Sequence, residues 1–468
     1  MDGTRSNIAH LLRRAGFGAR PDELDLAVQR GYQATVETLL SGLHGPDPTG
    51  DRIAVPAFTS PYPAPGQVPT DPAARMAAIR ERRQVQDQEY QALQLWWLNR
   101  MIATATPLRE KMTLLWHNHF ATAFSKVRNA GFMYRQNQLL RTMGGGNFEA
   151  LTQAVATDAA MMYWLDTETN VAGHPNENFA RELMELFTLG IGNYSEADVQ
   201  EAARTFTGWS LVPQTGEYVL RARRHDNGTK TLLGQTGDFN GTDTVRIVTH
   251  HPASARWVVA KLWSHLAYPV GPGDAVVGQL APAYARDLDV TALLRAIFGH
   301  PEFLGPAARG TLVKMPIEYV VGICRAFGLN AELQSTTAGA AAAGPAAPAT
   351  PNAGGGTGRA APASLRPILI RLAQEPFNPP SVGGWPQNEY WLNTATSLAR
   401  LQFGMSLAPR LDLGWLSSLP VSQRLDALAT WLSIDGWGQT TAGALNHVAS
   451  NPAVLVGLAL SAPETVTN

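Results

Sequence analysis

Glu182, Glu185 and Asn178 are the residues whose types and spacing first suggest chemistry, because they sit together in the run Asn176-Glu-Asn-Phe-Ala-Arg-Glu-Leu-Met-Glu-Leu-Phe-Thr-Leu-Gly190. At about 100° per residue, Leu186, Phe179, Leu183 and Phe187 fall between about 80° and 180° around a helix. Glu185, Asn178 and Glu182 fall between about 340° and 40°, with Leu189 among them at about 20°. The acids therefore lie beside the apolar stripe rather than opposite it. Packing over that edge desolvates them, and a water-poor carboxylate needs a cation, a metal, a shared proton or a hydrogen-bonded network. The chemistry this predicts is acid/base catalysis or metal-assisted hydrolysis, with Glu182 as base or ligand.

A partner for such an acid is available in Trp116-His-Asn-His-Phe120. Two histidines at i and i+2 on a helix diverge by about 200°, so both cannot grip one ion. His119 shares a stripe with Leu108, Met112, Leu115, Trp116 and Phe120 and is expected to face inward, with His117 off the stripe. A carboxylate–histidine pair, with or without a divalent metal, would serve both groups. Asp166 ends an apolar helix shortly before the acidic one. It is expected either to cap a turn or, with Glu185 and Asn178, to orient the site. Arg181, four residues before Glu185, could neutralise that acid as a structural pair, and Glu177 suits the helix N-terminus.

Four further places are candidates for binding. His225, Asp226 and Lys230 form a charged loop that could hold an anion or close over a site. His251 precedes Pro252 at an expected helix start and is expected to reach inward. Trp385, in a Pro/Gly loop, could offer an aromatic platform, although core packing also accounts for tryptophans. Asp238-Phe-Asn-Gly-Thr-Asp243 resembles part of a calcium loop but lacks the distal glutamate. The chain has no His-Glu-x-x-His, no Glu-x-x-His pair, no P-loop and no Gly-x-Ser-x-Gly elbow, which removes zincins, di-iron bundles, P-loop enzymes and α/β-hydrolases as simple matches.

The elements that must position these residues are helices. Periods near 3.6 run through Ile8 to Leu40, Asp71 to Thr104 (one helix or two), Leu108 to Phe124, Met133 to Met143, Phe148 to Thr157, Asn178 to Leu189 and Ser195 to Phe206. They resume over Pro252 to Tyr268, Val290 to Phe298, Pro316 to Phe327, Leu365 to Gln374 and Asn393 to Leu407. Ser195 with Asp198 resembles a capping box. Residues 45–72 are rich in breakers and read as a surface loop excursion, and 208–249 as a small β/loop lobe with strands near Tyr218-Val-Leu220 and Thr229 to Leu233. Residues 335–363 are almost wholly Ala, Gly, Pro and Thr and read as a flexible low-complexity insertion. The predicted fold is mainly α, a large multi-helical single domain over 1–468 with long Pro/Gly/Ala-rich loops.

Composition narrows the partners. Of 468 residues, 45% are hydrophobic and 16% charged, against roughly 25% charged in an average globular protein, which indicates a large interior. Net charge −1 and pI near 6.8 provide no basic field, so nucleic acid is not an expected partner. Cys324, the one cysteine, forbids an internal disulfide and reads as core. No stretch reaches the roughly 18 apolar residues of a membrane span. The N-terminus shows no apolar signal region, so a soluble, cytoplasmic protein is expected.

Several strings taken together resemble an uncharacterised, mostly bacterial family, domain of unknown function 1800. They are Arg14-Ala-Gly-Phe-Gly18, Trp116 to Phe120, Pro175 to Phe187, Ala203-Arg-Thr-Phe-Thr-Gly-Trp209, His225-Asp-Asn-Gly-Thr-Lys230 and Phe377 to Pro386, collinear over about residues 8–408. The resemblance implies no reaction and no cofactor. It implies that the flanks of 335–363 belong to one unit; members of the family are often encoded beside a second family resembling sulfatases and alkaline phosphatases, which makes such a protein a candidate partner with which this chain could be co-exported. Three roles follow as expectations: an enzyme with a buried carboxylate/histidine site, a non-catalytic partner or scaffold, or a ligand-binding module.

Overall fold

The computed structural model describes residues 3–59, 69–334 and 364–468. The expected insertion at 335–363 and residues 60–68 of the expected excursion lie outside the described residues. Helices account for 62% of the structure, and among the described residues β structure is confined to two two-stranded sheets, so the fold is mainly α as the helical periodicity predicts.

Its axis is the helix Pro107–His119. Pro107 starts it without loss, since the first turn has no intrahelical acceptor for that N–H. Every residue from Leu108 to Asn118 except Arg109 is buried, so this rod has no solvent face. One continuous apolar core surrounds it, running from Leu11 to Val466. Against it lies Pro72–Ala103, a single helix of 32 residues, roughly 48 Å long at ~1.5 Å per residue. Asp71 caps it by accepting from Ala74 N at 2.7 Å, and burial begins at Gln86. The C-terminal helices join the same core. Thr394–Leu407 packs on Pro452–Ala459 at Gly404 and Gly457, where a Cβ on Gly404 would stand 2.4 Å from Gly457 O.

Residues 45–59 are tied into the body. Asp47 is 0% exposed and accepts hydrogen bonds from Thr104 Oγ1 at 2.6 Å and from Gly50 N and Ala105 N at 3.0 Å. In the small lobe, β1 (Trp209–Leu211) pairs antiparallel with β2 (Tyr218–Leu220), and β3 (Lys230–Leu232) with β4 (Gln235–Gly237). Leu233 and Gly234 both have positive φ, which gives the second hairpin its tight two-residue turn. The stretch 208–249 is not wholly strand and loop, because Gly241–Thr249 is a helix. Asn240 Oδ1 accepts from Thr242 N and Asp243 N, and Asp243 Oδ2 accepts from Asn240 N. The string that resembles a calcium loop is thus a helix cap.

The acidic helix departs furthest from expectation. It is α-helical only over Asn178–Glu182 and then becomes a π-helical turn, Leu183–Thr188. Leu189 N reaches back five residues to Met184 O at 2.8 Å, and Gly190, at φ 77°, ends the element. A π turn advances less than 100° per residue, so the angular map drawn for a regular helix does not hold beyond Glu182. Among the described residues no helix is long and apolar enough to cross a membrane.

Candidate functional site

The acids do not meet the histidine. Arg181 turns away from Glu185 and pairs with Glu177 Oε2 at 3.0 Å and with Glu196 at 2.8 and 2.7 Å. Glu185 Oε2 accepts from Tyr194 Oη at 2.8 Å. Glu182 is half-buried, and burial, then the charge of Glu185, raises its pKa. Asn178 is exposed. Asp166, at φ 55° before the Thr167–Thr169 turn, binds Lys126 Nζ at 2.8 Å with its carboxylate two-fifths exposed. Glu182, Glu185, Asn178 and Asp166 are absent from the cavity that His119 lines.

His119 behaves otherwise. Its Nε2 stands 2.9 Å from Phe187 O. A carbonyl only accepts, so Nε2 carries the proton and Nδ1 carries the lone pair. No residue among those described bonds Nδ1. Burial, then the charge of Lys261, lowers this imidazole to about 3. The expectation that His117 lies off the buried stripe is overturned. It is 1% exposed, boxed by the rings of Trp97, Phe377 and Trp385 at 5.4 to 5.5 Å, and lowered to about 3 by burial. A rod buried on all sides takes both histidines inside in different directions.

His119 opens into a cavity of about 350 Å³. Three parts supply its polar side chains, and Leu186 of the π turn with Pro269, Val270 and Pro272 adds apolar wall. The Pro107–His119 helix brings Asn118 and His119 in its last turn, and Pro252–Leu266 brings Trp257, Lys261 and His265 at i, i+4 and i+8. The loop after Pro380 brings Gly383, Trp385 and Gln387. Helix C-termini converge here, and His119 and Trp257 satisfy carbonyls that the end of the Leu183–Thr188 turn leaves open. His119 donates to Phe187 O, Trp257 Nε1 donates to Leu186 O at 2.9 Å, and His265 Nδ1 donates to Lys261 O at 2.8 Å. With Nδ1 protonated, His265 Nε2 accepts from the Gln387 amide, and burial lowers this imidazole to about 4.

Lys261 is the sole charged group in that wall. It stands 4.5 Å from the centroid of Trp257, has no carboxylate within ion-pair distance among the described residues, and is lowered by burial. Asn118 clamps the loop, its Oδ1 accepting from Trp385 N at 2.5 Å and its Nδ2 donating to Trp385 O at 3.4 Å. Trp385, expected as a platform, is 3% exposed and forms part of the wall. The loop comes this close because position 384 has no side chain. Gly384 has φ 81°, and a Cβ there would stand 2.3 Å from both Asn118 O and Asn118 Oδ1. Gly384→Ala is therefore expected to lift the loop and cost about 1–3 kcal/mol in backbone strain alone. Urea unfolding checks this, and a midpoint equal to wild type would contradict it.

The other binding candidates are engaged locally. His225 Nδ1 donates to Thr207 O at 2.8 Å, and Asp226 holds Arg204 at 2.8 and 3.2 Å. Lys230 is 1% exposed and donates to Asp226 O at 2.5 Å, so this loop closes on itself. His251 does not reach inward. Its Nδ1 accepts from Ala253 N at 3.2 Å and caps Pro252–Leu266. Among the described residues no three His, Cys, Asp or Glu side chains gather as a metal site. Lys261, His265 and Gln387 were missed by sequence reasoning. For the first two the signal was present, as the four-residue spacing from Trp257, but a helical lysine reads as solvated unless its helix is known to line a cavity.

These features define a mainly helical protein with a cavity of about 350 Å³ walled by two imidazoles and an ammonium that has no ion-pair partner among the described residues. The chain belongs to the family described as Protein of unknown function (DUF1800), which it matches over residues 10–466. That match reaches past residue 408, in keeping with the shared core of the C-terminal helices. No curated protein and no solved structure matches the chain.

Proposed function

We propose that the protein is an acid/base enzyme acting on a small molecule in the cavity of His119, with His119 Nδ1 as proton acceptor and Lys261 as its electrostatic partner. One observation carries this reading. The far nitrogen of His119 is anchored to Phe187 O, so an unpartnered lone pair is held beside Lys261 in a space of about 350 Å³. A base oriented by a third group is the recurring arrangement of such sites. Its low basicity reflects burial, and negative charge arriving on a substrate raises it. Glu182, the acid first favoured, takes no part in this reading, nor does a metal held by the acidic helix.

The test is mass-spectrometric profiling of small molecules consumed from a cell extract by wild type, His119→Gln and Glu182→Gln. Compounds consumed by wild type and Glu182→Gln are expected to turn over about 10²- to 10⁴-fold more slowly with His119→Gln. Loss of turnover in Glu182→Gln alone, or none in wild type, counts against the proposal.

A partner role is supported by a different feature. On Thr394–Leu407, Leu398, Leu401 and Met405 are 52%, 37% and 38% exposed at i, i+3 and i+7. Such a stripe suits helix docking, and the sulfatase-like partner is the expectation to test there. Co-purification that survives in wild type and is lost in Leu398→Glu would support it.

A further inference from the structure

The cavity has a charge pattern that narrows its ligand. Its lining holds one ammonium, Lys261, and no carboxylate or guanidinium. Most of its neutral polar groups are already spent. Asn118 is clamped on the backbone of Trp385, Ser264 accepts from Val270 N at 3.0 Å and donates to Val270 O at 3.2 Å, and both nitrogens of His265 are engaged. What remains for a ligand includes the Lys261 ammonium and the Trp385 indole N–H as donors, with His119 Nδ1 and Gln387 Oε1 as acceptors. The complement is one anionic group next to a neutral O–H or N–H donor.

Resting on the acid/base reading, we infer that the ligand is a small hydroxycarboxylate, its carboxylate on Lys261 Nζ and its hydroxyl donating to His119 Nδ1, with an apolar remainder against Leu115, Leu186, Trp257 and Val270. An ammonium in place of the hydroxyl would be repelled by Lys261. A phosphate dianion is disfavoured relative to a carboxylate, because helix C-termini at His119, Thr188 and Leu266 lie at the cavity and a single ammonium offsets one negative charge against them but not two. Those ends carry partial negative charge, whereas phosphate sites use the N-terminal amides. A lone lysine is a point charge suited to one carboxylate. A volume near 350 Å³ is at the lower end of the ~300–1,000 Å³ range of small-molecule sites, which suits a compact acid.

Isothermal titration of the full chain with mandelate, phenylacetate, mandelamide and phenyl phosphate tests this. Mandelate is expected to bind best, with phenylacetate (no hydroxyl) and mandelamide (no charge) each about 10- to 100-fold weaker. Lys261→Met is expected to abolish the preference for mandelate over mandelamide, and His119→Phe the preference for mandelate over phenylacetate. Phenyl phosphate binding tighter than mandelate, equal binding of mandelate and mandelamide to wild type, or no binding of any probe overturns the inference. Should that happen while His119→Gln still stops turnover in the profiling experiment, the ligand class alone is wrong; if turnover survives His119→Gln, the acid/base reading falls with it.

Discussion

At pH 5 the protein is expected to have lost most of the stability it has at pH 7. Four imidazoles are held neutral in the fold: His10, lowered to about 2, His117 and His119, each lowered to about 3, and His265, lowered to about 4. Burial is the first cause in each. For His10 the charges of Arg14 and Arg13 come next, and its Nε2 is held by Phe303 O at 3.0 Å. The unfolded chain protonates these rings below the ordinary value of 6.5 while the folded chain does not. The unfolded state therefore binds more protons, so stability is complete above about 6.5 and falls with pH until the folded values are reached.

The size of the effect is insensitive to the folded values, since all four lie below pH 5. Each ring contributes about 2 kcal/mol at pH 5, from 1.36 kcal/mol per pH unit over a pH and a half, or about 8 kcal/mol together. Asp158, which burial raises to about 6, works the other way by about 1 kcal/mol. The balance rivals the ~5–15 kcal/mol by which whole proteins are stable. Urea midpoints at pH 7 and pH 5 measure it. His117→Phe, which keeps a ring in the aromatic box, is expected to shrink the pH-dependent loss by about a quarter. Equal midpoints at the two pH values would refute the account.

That buried imidazoles exist was legible in the sequence, and their directions were legible only in part. Apolar periodicity identified the helices because each of the larger ones buries a stripe, and local chemistry placed some of their ends. Ser195 N donates to Asp198 Oδ2 at 2.8 Å and Asp198 N to Ser195 Oγ at 3.2 Å, the capping box read from four residues. Wherever geometry was set by tertiary packing, reading failed. The acidic face was drawn at 100° per residue, but five-residue hydrogen bonding after Glu182 rotates Glu185 to Tyr194 and leaves Arg181 for Glu196. His119 was found from its stripe. The other side chains its chemistry depends on, Lys261, His265 and Gln387, lie more than a hundred residues onward, on Pro252–Leu266 and on the Gly383–Gln387 loop, and no period in the sequence links those segments to it. Residues 45–59 misled for the opposite reason, because a breaker-rich stretch can still bury one carboxylate, Asp47, when Thr104, Gly50 and Ala105 supply donors.

Glu110→Gln is expected to be among the most destabilising single substitutions in the chain. Glu110 is 0% exposed in the central rod, and its two oxygens gather four donors. Oε1 accepts from Arg100 Nε at 2.7 Å and Arg141 Nε at 2.6 Å, and Oε2 from Arg141 Nη2 at 3.0 Å and Trp97 Nε1 at 3.1 Å. The guanidiniums hold its pKa low against the opposing effect of burial. Arg100 goes on to Gly50 O at 3.1 Å and Asp51 Oδ1 at 2.6 Å, which ties the segment around Asp47 to this carboxylate. Glutamine keeps the volume but removes the charge and turns one acceptor into a donor aimed at donors. Buried Arg141 then loses the carboxylate it pairs with, and Arg100 keeps only Asp51 and Asp47; about 3–5 kcal/mol is the usual cost of breaking a buried pair from one side. Glu182→Gln, at a half-buried acid with no ion-pair partner among the described residues, is the control and should change stability by less than about 1 kcal/mol. Urea unfolding of the two variants at pH 7 separates them. A Glu110→Gln midpoint as close to wild type as that of Glu182→Gln would mean that Arg100 and Arg141 find other acceptors, and that the central rod does not depend on this carboxylate.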